Sequence, residues 1–400
     1  MNILHVADYV MPEMGYQEFI LPKWNAKHGH EVHIITSDRY TPVPDYENTW
    51  QHILGPRHIG ESTETIENVL IHRLPVKLEF KRRIWLSGLF MKIKQINPDI
   101  IFCHGTSSPL AFALVNISKK LRIPLIMDNH MAFVAQRSGI LARMYYFALK
   151  LLTKIYLNKN VSSFLGMSDE SCEFMITQQG INPAKVGKLD FGIDTDIFGD
   201  DLKSSPRTRT YYGIPDDATI IMQTGKLSQE KGTDILTKAM LPLMIDDPSL
   251  WLIFVGGGNS AFIKQCMEPF QLSSVSNRVL TISFVPITQL PSLMKMSDIC
   301  VYPGESSLSC IEASACGTPV IITDLPWGKA RSKLGIGTCY ETGNVKDLRS
   351  HLQRLIESKE LRTELGEVAR KKVLELYSYD LVAKNVEFLM EDAINQYGQQ

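Results

Sequence analysis

Long apolar runs are missing from this 400-residue chain: none approaches the roughly 18 consecutive residues that a helix needs to cross a bilayer, which argues against helical membrane spans. Paired cysteines are missing too. The seven present, at positions 103, 172, 266, 300, 310, 316 and 339, are odd in number and nowhere spaced as CxxC, so neither a disulfide framework nor a structural zinc site is expected. Reduced thiols packed as small hydrophobes account for them. There is no large excess of charge of either sign, the net value being −1, and no groove-reading motif occurs, so nucleic acid is not an expected partner. Residues Met1 to Asp8 carry neither a basic segment nor a small-residue cleavage site and read as a β-strand, which makes the cytoplasm the expected compartment.

What is present is an ordinary globular composition, 44% hydrophobic and 21% charged, in a chain too long for one comfortable core. Short β-rich apolar runs alternate with longer amphipathic segments, the pattern of βαβ units and a parallel sheet. In the first half, strands are predicted at 3–7, 31–36, 69–73, 99–103, 124–128, 162–167 and 186–190, with helices near 17–28, 84–95, 109–121, 140–157 and 169–179. Gly, Asp, Ser and Pro cluster between Phe191 and Asp216, where the periodicity is lost. A second series then starts, with strands at 219–224, 250–255, 279–284, 299–302, 319–323 and 337–340 and long helices at 345–358 and 360–376. The expected architecture is α/β: two Rossmann-like doubly wound domains over 1–198 and 199–376, followed by a terminal helix within 377–400.

Charge is unevenly spread. Between Arg73 and Lys159, fifteen Lys or Arg stand against three acids, Glu79, Asp99 and Asp128. Lys77, Lys81, Arg82 and Arg83 precede Ile84-Trp85-Leu86, and Arg137, Arg143, Lys150, Lys154 and Lys159 interleave with aromatic and aliphatic residues. Cationic amphipathic helices of this kind can lie on an anionic membrane surface, so residues 77–159 are a candidate for peripheral attachment to the inner face of a membrane. Helices that cover a sheet and turn basic faces to water would carry the same pattern.

Ligands of doubly wound sheets bind outside the carboxyl ends of the strands, so the loops there are the ones to inspect. After the first strand, Gly15 could let backbone approach a ligand, or could simply make a turn. In the second half, Gly225-Lys226-Leu227-Ser228-Gln229-Glu230-Lys231-Gly232 places two lysines at the mouth of the sheet, suited to a diphosphate or merely flanking a turn. Gly256-Gly257-Gly258 follows another strand and permits close backbone approach to a nucleotide, or is a bare glycine turn. The densest stretch runs from Pro303 through Glu305, Ser307, Leu308 and Glu312 to Pro319. A helix beginning near Ser307 would aim free amides at a phosphate, and Glu312 could take two ribose hydroxyls. His130 follows the strand at 124–128, where an imidazole could reach a donor or serve structure alone; His104 is placed similarly. Asp194-Thr195-Asp196 has the form of a DxD metal motif, but it lies in the interdomain stretch with no histidine nearby, and no metal is expected.

Taken in order, these segments resemble the retaining, metal-independent glycosyltransferases of family 4, with the GT-B fold, over essentially the whole chain. The resemblance rests on 3–8 with Gly15, Glu18 and Gly29-His30-Glu31-Val32, on Pro98-Asp99-Ile100-Ile101 through His104-Gly105, and on Gly192-Ile193-Asp194-Thr195-Asp196-Ile197-Phe198. It rests further on Gly225-Lys226-Leu227 with Glu230-Lys231-Gly232, on Val255-Gly256-Gly257-Gly258, and on Glu312-Ala313-Ser314-Ala315-Cys316-Gly317-Thr318-Pro319. It implies two Rossmann-like domains facing each other across a cleft, a terminal helix that crosses back to the first domain, and a nucleotide-diphosphate sugar as donor. Lys226 and Lys231 would bind the diphosphate, Glu312 the ribose, and His130 would lie near the donor sugar. The acceptor would be a saccharide or lipid-linked saccharide, as in cell-surface polysaccharide assembly, with retention of configuration and no cofactor.

Three positions depart from the family pattern. Lys226 stands where arginine is usual, which keeps charge but loses the bidentate grip on phosphate. The family's paired glutamates stand eight apart, and eight before Glu312 is Gly304, with Glu305 one place late. Tyr16 replaces the second glycine of the pair after the first strand. A sugar-nucleotide epimerase of the same fold and a non-catalytic GT-B scaffold therefore remain alternatives.

Overall fold

The runs Ile3-Leu4-His5-Val6 and Ile220-Ile221-Met222 are buried along their whole length, as the central strands of a sheet covered on both faces must be. The computed structural model describes the chain except Pro44, Lys81, 132–138, Asp200, 201–208, Ser306 and 399–400, and the side chain of Leu141. Lys81 and Arg137, both counted in the basic stretch, lie outside the described residues. Two compact units result, one of Met1–Tyr46, Leu54–Gly192 and Tyr379–Gln400, the other of Glu47–Ile53 and Ile193–Ser378.

The first unit is built on an eight-stranded sheet. Its order is Val186–Lys188, Ser163–Gly166, Leu125–Asn129, Ile100–His104, Asn2–Val6, Glu31–Ser37, Val69–Leu74 and Ser62–Ile66. All pairs are parallel except the last, a hairpin of Ser62–Ile66 on Val69–Leu74. The strand order reverses between Asn2–Val6 and Ile100–His104, a topological switch point with the loops after Val6 and His104 at its open end. Helix Tyr379–Gly398 supplies Tyr379, Val382, Ala383, Val386, Met390 and Ala393 to this unit's core.

The second unit has a six-stranded, wholly parallel sheet. Its order is Val279–Ile282, Leu250–Val255, Thr219–Thr224, Ile299–Tyr302, Val320–Thr323 and Thr338–Tyr340. Here the switch point falls between Thr219–Thr224 and Ile299–Tyr302. Ile193 and Phe198, placed in the first domain by the sequence reading, are core residues of this unit, and the Ile193 amide donates to the Tyr377 carbonyl at 2.6 Å.

One predicted helix is corrected. Over 84–95 the structure has a hairpin, Val76–Phe80 with Arg83–Leu86, before a helix that starts only at Leu89. The apolar Ile84 and Leu86 point to a strand as readily as to a helix when read over four residues, and Gly88 at φ 74° blocks a continuous helix.

Candidate active site

In the second unit, Gln223, Thr224, Lys226, Lys231, Tyr302, Glu305 and Ser307 line one recess at the switch point. Four residues singled out from sequence, Lys226, Lys231, Glu305 and Ser307, are thus brought together. Gln223, Thr224 and Tyr302 were not singled out; they are the last residues of the two strands flanking the switch point, which is the only signal of them in the sequence. The Gln223 amide donates to the Lys231 carbonyl at 3.0 Å, and the Tyr302 hydroxyl bridges Thr224 Oγ1 at 2.9 Å and the Ser309 carbonyl at 2.8 Å.

Glycines explain how the loops close on each other. A Cβ on Gly304 would sit 2.2 Å from the Glu230 carbonyl oxygen, and one on Gly232, at φ 69°, would sit 2.9 Å from the backbone of Pro303. The Lys231 loop and the Glu305 loop interlock backbone to backbone, sealed by the Glu305 amide donating to the Glu230 carbonyl at 2.8 Å. No side chain fits at 304, so the displaced acid at 305 has a packing cause. Lys231 Nζ reaches the Glu305 carbonyl at 3.4 Å. Burial lowers the Lys231 ammonium from its ordinary value; the Glu305 charge opposes this and the Lys226 charge adds to it. Gly257 and Gly258 have contacts of their own: their Cβ positions are filled by the Phe284 ring and the Leu227 carbonyl.

Helix Ser309–Ala315 begins two residues later than expected, with Leu308 as its N-cap, and the amides of Ile311 and Glu312 already turn back to the Leu308 carbonyl. Arg331, missed from sequence, holds this turn by donating to the Ser307 carbonyl at 3.0 Å and reaching Cys310 Sγ at 2.7 Å. Glu312 lies on this helix, is 6% exposed and is not among the residues lining the recess. Burial pushes its carboxyl up to about 7, against a hydrogen bond from Ser309.

Gly15 and His130 lie in the first unit. Gly15 ends a short turn of helix at φ 67°. Nearby in sequence, Asp8 is pushed up to about 7 by burial, with the Arg83 charge opposing, and its Oδ1 has no hydrogen-bond partner among the described residues. His130 Nε2 lies 3.4 Å from Asp128 Oδ2, which His104 Nδ1 approaches at 2.8 Å. The ligand atoms of these three residues lie within 4.8 Å of one another, a spacing that could hold a metal ion and that the sequence reading did not identify. Asp194 of the DxD motif caps the helix Thr195–Phe198 through the Asp196 amide at 3.1 Å.

The basic stretch divides on folding. Arg73 is buried and paired with Glu64, and Arg83 donates to the Tyr145 hydroxyl at 2.6 Å. On helix Ile140–Leu152 and the π-helical turn Thr153–Leu157, by contrast, Ile140, Met144, Phe147, Leu151 and Ile155 form an exposed apolar stripe beside exposed Arg143, Lys150 and Lys154. No helix among the described residues is long and apolar enough to cross a membrane.

Comparison with known proteins identifies the family and the fold. A model described as glycosyl transferases group 1 matches residues 204–372, and one described as glycosyltransferase family 4 matches residues 23–197. An uncharacterized glycosyltransferase of Methanocaldococcus jannaschii is 23% identical over 93% of this chain and 92% of its own. Among solved structures, a glycosyltransferase from Rickettsia africae superposes with a TM-score of 0.72 at 16% identity, covering 98% of both chains. The Anabaena protein HepE in complex with UDP gives 0.70 at 16% identity, over 98% of this chain and all of the other. The fold is the GT-B fold of these enzymes, and the chain belongs to the group 1 and family 4 glycosyltransferases.

Proposed function

We propose that the protein is a retaining glycosyltransferase that moves a hexose-type sugar from a nucleotide-diphosphate donor to a saccharide or lipid-linked saccharide, without a resident metal. The observation that carries this reading is the pairing of Lys226 and Lys231 in one recess at the switch point of the second sheet. Departure of a nucleoside diphosphate develops negative charge, and two fixed ammonium groups stabilise it. UDP in the Anabaena relative supports a nucleotide as ligand. The sugar carbon becomes oxocarbenium-like, and the acceptor hydroxyl attacks the face the nucleotide leaves, with no covalent nucleophile. Glu305 is the acid nearest Lys231 in the recess and serves the donor sugar; Glu312 serves the ribose. The exposed apolar and basic stripe over 140–155 supports a peripheral position on an anionic cytoplasmic membrane face, where a lipid-linked acceptor resides.

The test is a thermal-shift screen against UDP, GDP, ADP, CMP and their sugar conjugates, followed by transfer assays with and without EDTA. Selective stabilisation by one nucleotide diphosphate is expected, because a ligand of the folded state raises the melting point by mass action. Activity persisting in excess EDTA is expected; a strict need for added metal contradicts the mechanism. Turnover of the sugar nucleotide with no acceptor would favour the epimerase, and no shift with any nucleotide the scaffold.

A further inference from the structure

The first sheet has a switch point of its own, and Asp8 stands at its open end, two residues past the strand Asn2–Val6. The neighbouring strand Glu31–Ser37 fixes the backbone there. The Ala7 amide donates to the Ile35 carbonyl at 3.1 Å, and the Asp8 carbonyl accepts from Thr36 Oγ1 at 3.4 Å. The carboxyl has no such support: its Oδ1 is shut off from water and has no hydrogen-bond partner among the described residues. The groups around it are spent elsewhere. Arg83, the cation whose charge reaches Asp8, donates to the Tyr145 hydroxyl at 2.6 Å and lies over that ring at 5.0 Å. Tyr9 gives its proton to Glu79 Oε1 at 2.7 Å, and Arg39 and Arg57 close on the same carboxylate. Arg57 in turn keeps one sealed N–H, at Nε, without a partner among the described residues. A buried polar atom left unpaired is costly, and folds retain few of them.

We propose that Asp8 is a binding residue for the sugar acceptor, its carboxyl taking a hydrogen bond from an acceptor hydroxyl at the open end of the first sheet. The assignment rests on the glycosyltransferase reading. Chemistry separates the two substrates here. An unpartnered carboxyl oxygen needs an O–H or N–H group, which a saccharide hydroxyl brings and an ionised diphosphate does not; a carboxylate beside a diphosphate repels it. The lysines that suit the diphosphate stand at the switch point of the other sheet. A polyhydroxy ligand also answers the second orphan, Arg57 Nε, because each hydroxyl accepts as well as donates. Burial pushes the Asp8 carboxyl up to about 7, with the Arg83 charge opposing, as befits an acid that has no partner within the chain.

The test compares the full-length protein with Asp8→Ala and Asp8→Asn. Binding is read by saturation-transfer NMR with the methyl glycosides of glucose, galactose and mannose and with myo-inositol. At least one of these is expected to bind the parent, and to bind Asp8→Ala at least tenfold more weakly. In transfer assays KM for the acceptor is expected to rise at least tenfold in Asp8→Ala and less in Asp8→Asn, which keeps an accepting oxygen. KM for the sugar nucleotide is expected to stay within twofold in both. A group that holds nothing in the fold can be neutralised without loss, so Asp8→Asn is expected to melt no lower than the parent at pH 8, where a carboxyl raised by burial is ionised and destabilising. Unchanged acceptor binding in Asp8→Ala leaves Oδ1 to water and overturns the proposal. A lower melting temperature in Asp8→Asn with acceptor KM unchanged makes Asp8 a structural residue and overturns it too. Donor and acceptor KM rising together overturn it in favour of a donor contact, and so does a parent that binds none of the probes. A parent that binds a probe but transfers no sugar sinks the glycosyltransferase reading; loss of that binding in Asp8→Ala then still upholds the site.

Discussion

Lys231 and Glu312 carry the residue-scale predictions. Lys231→Ala and Glu312→Ala are each expected to lower kcat/KM for the donor at least tenfold, about 1.4 kcal/mol of transition-state stabilisation. Steady-state kinetics check this, and unchanged values in both variants would sink the site assignment. Glu312 has a pH signature as well. Its carboxyl is raised by burial to about 7, so it is largely protonated at pH 6 and ionised at pH 8, where both oxygens can accept ribose hydroxyls. Nucleotide affinity is therefore expected to rise from pH 6 to 8 in calorimetric titrations, and Glu312→Gln to flatten that rise. The stability effect has the opposite sign. A folded-state pKa above the unfolded 4.5 means that stability present at acid pH is lost as pH climbs through about 7. Glu312→Gln is expected to melt higher than the parent at pH 8, by an amount on the order of 3 kcal/mol in stability, and to match it near pH 4.

At the scale of elements, the two loops of the recess act as one piece because their backbones meet where glycine alone fits. Gly304→Ala places a methyl 2.2 Å from the Glu230 carbonyl, so either the Lys231 loop or the Glu305 loop must move. A loss of donor affinity together with a lower melting temperature is expected; full activity at unchanged stability would show that the interlock is not needed. Legibility from sequence varied by element for a physical reason. Leu250–Val255, a continuous apolar run, was placed to the residue, as was Thr219–Thr224, whose buried Ile220-Ile221-Met222 stands between polar ends. The hairpin partner Ser62–Ile66, with no buried residue, was missed: an edge strand with that little burial has no hydrophobic signature. Helix 169–179 was placed to the residue, but its change to π-helical geometry at Met175–Gln179 has no period in the sequence to reveal it.

On the scale of the whole molecule, the stripe Ile140, Met144, Phe147, Leu151 and Ile155 repeats every three or four residues on the water-facing side of its helix. Buried Tyr146, Leu149, Thr153 and Leu157 occupy the other side. With Arg143, Lys150 and Lys154 beside it, the stripe is expected to bind vesicles containing anionic lipid and not purely zwitterionic ones. Vesicle sedimentation should show binding that weakens with salt and falls with Phe147→Glu. Equal binding to both vesicle types would remove the membrane reading.

Residue order alone determined the two α/β series, a break between Phe191 and Asp216, and two lysines at the end of one strand, because periodicity and strand-end position are properties of neighbouring residues. Only tertiary structure decided which residues meet. Gln223 and Tyr302 reach the recess from separate strands, Arg331 braces Ser307 from a later helix, and Asp128 joins His104, His130 and Gln17 across 111 residues of chain. It also decided why Gly304 is glycine, since the oxygen that excludes a side chain there belongs to Glu230, some seventy positions earlier. Contacts at that separation follow from strand order in the sheets, and strand order leaves no mark on local sequence.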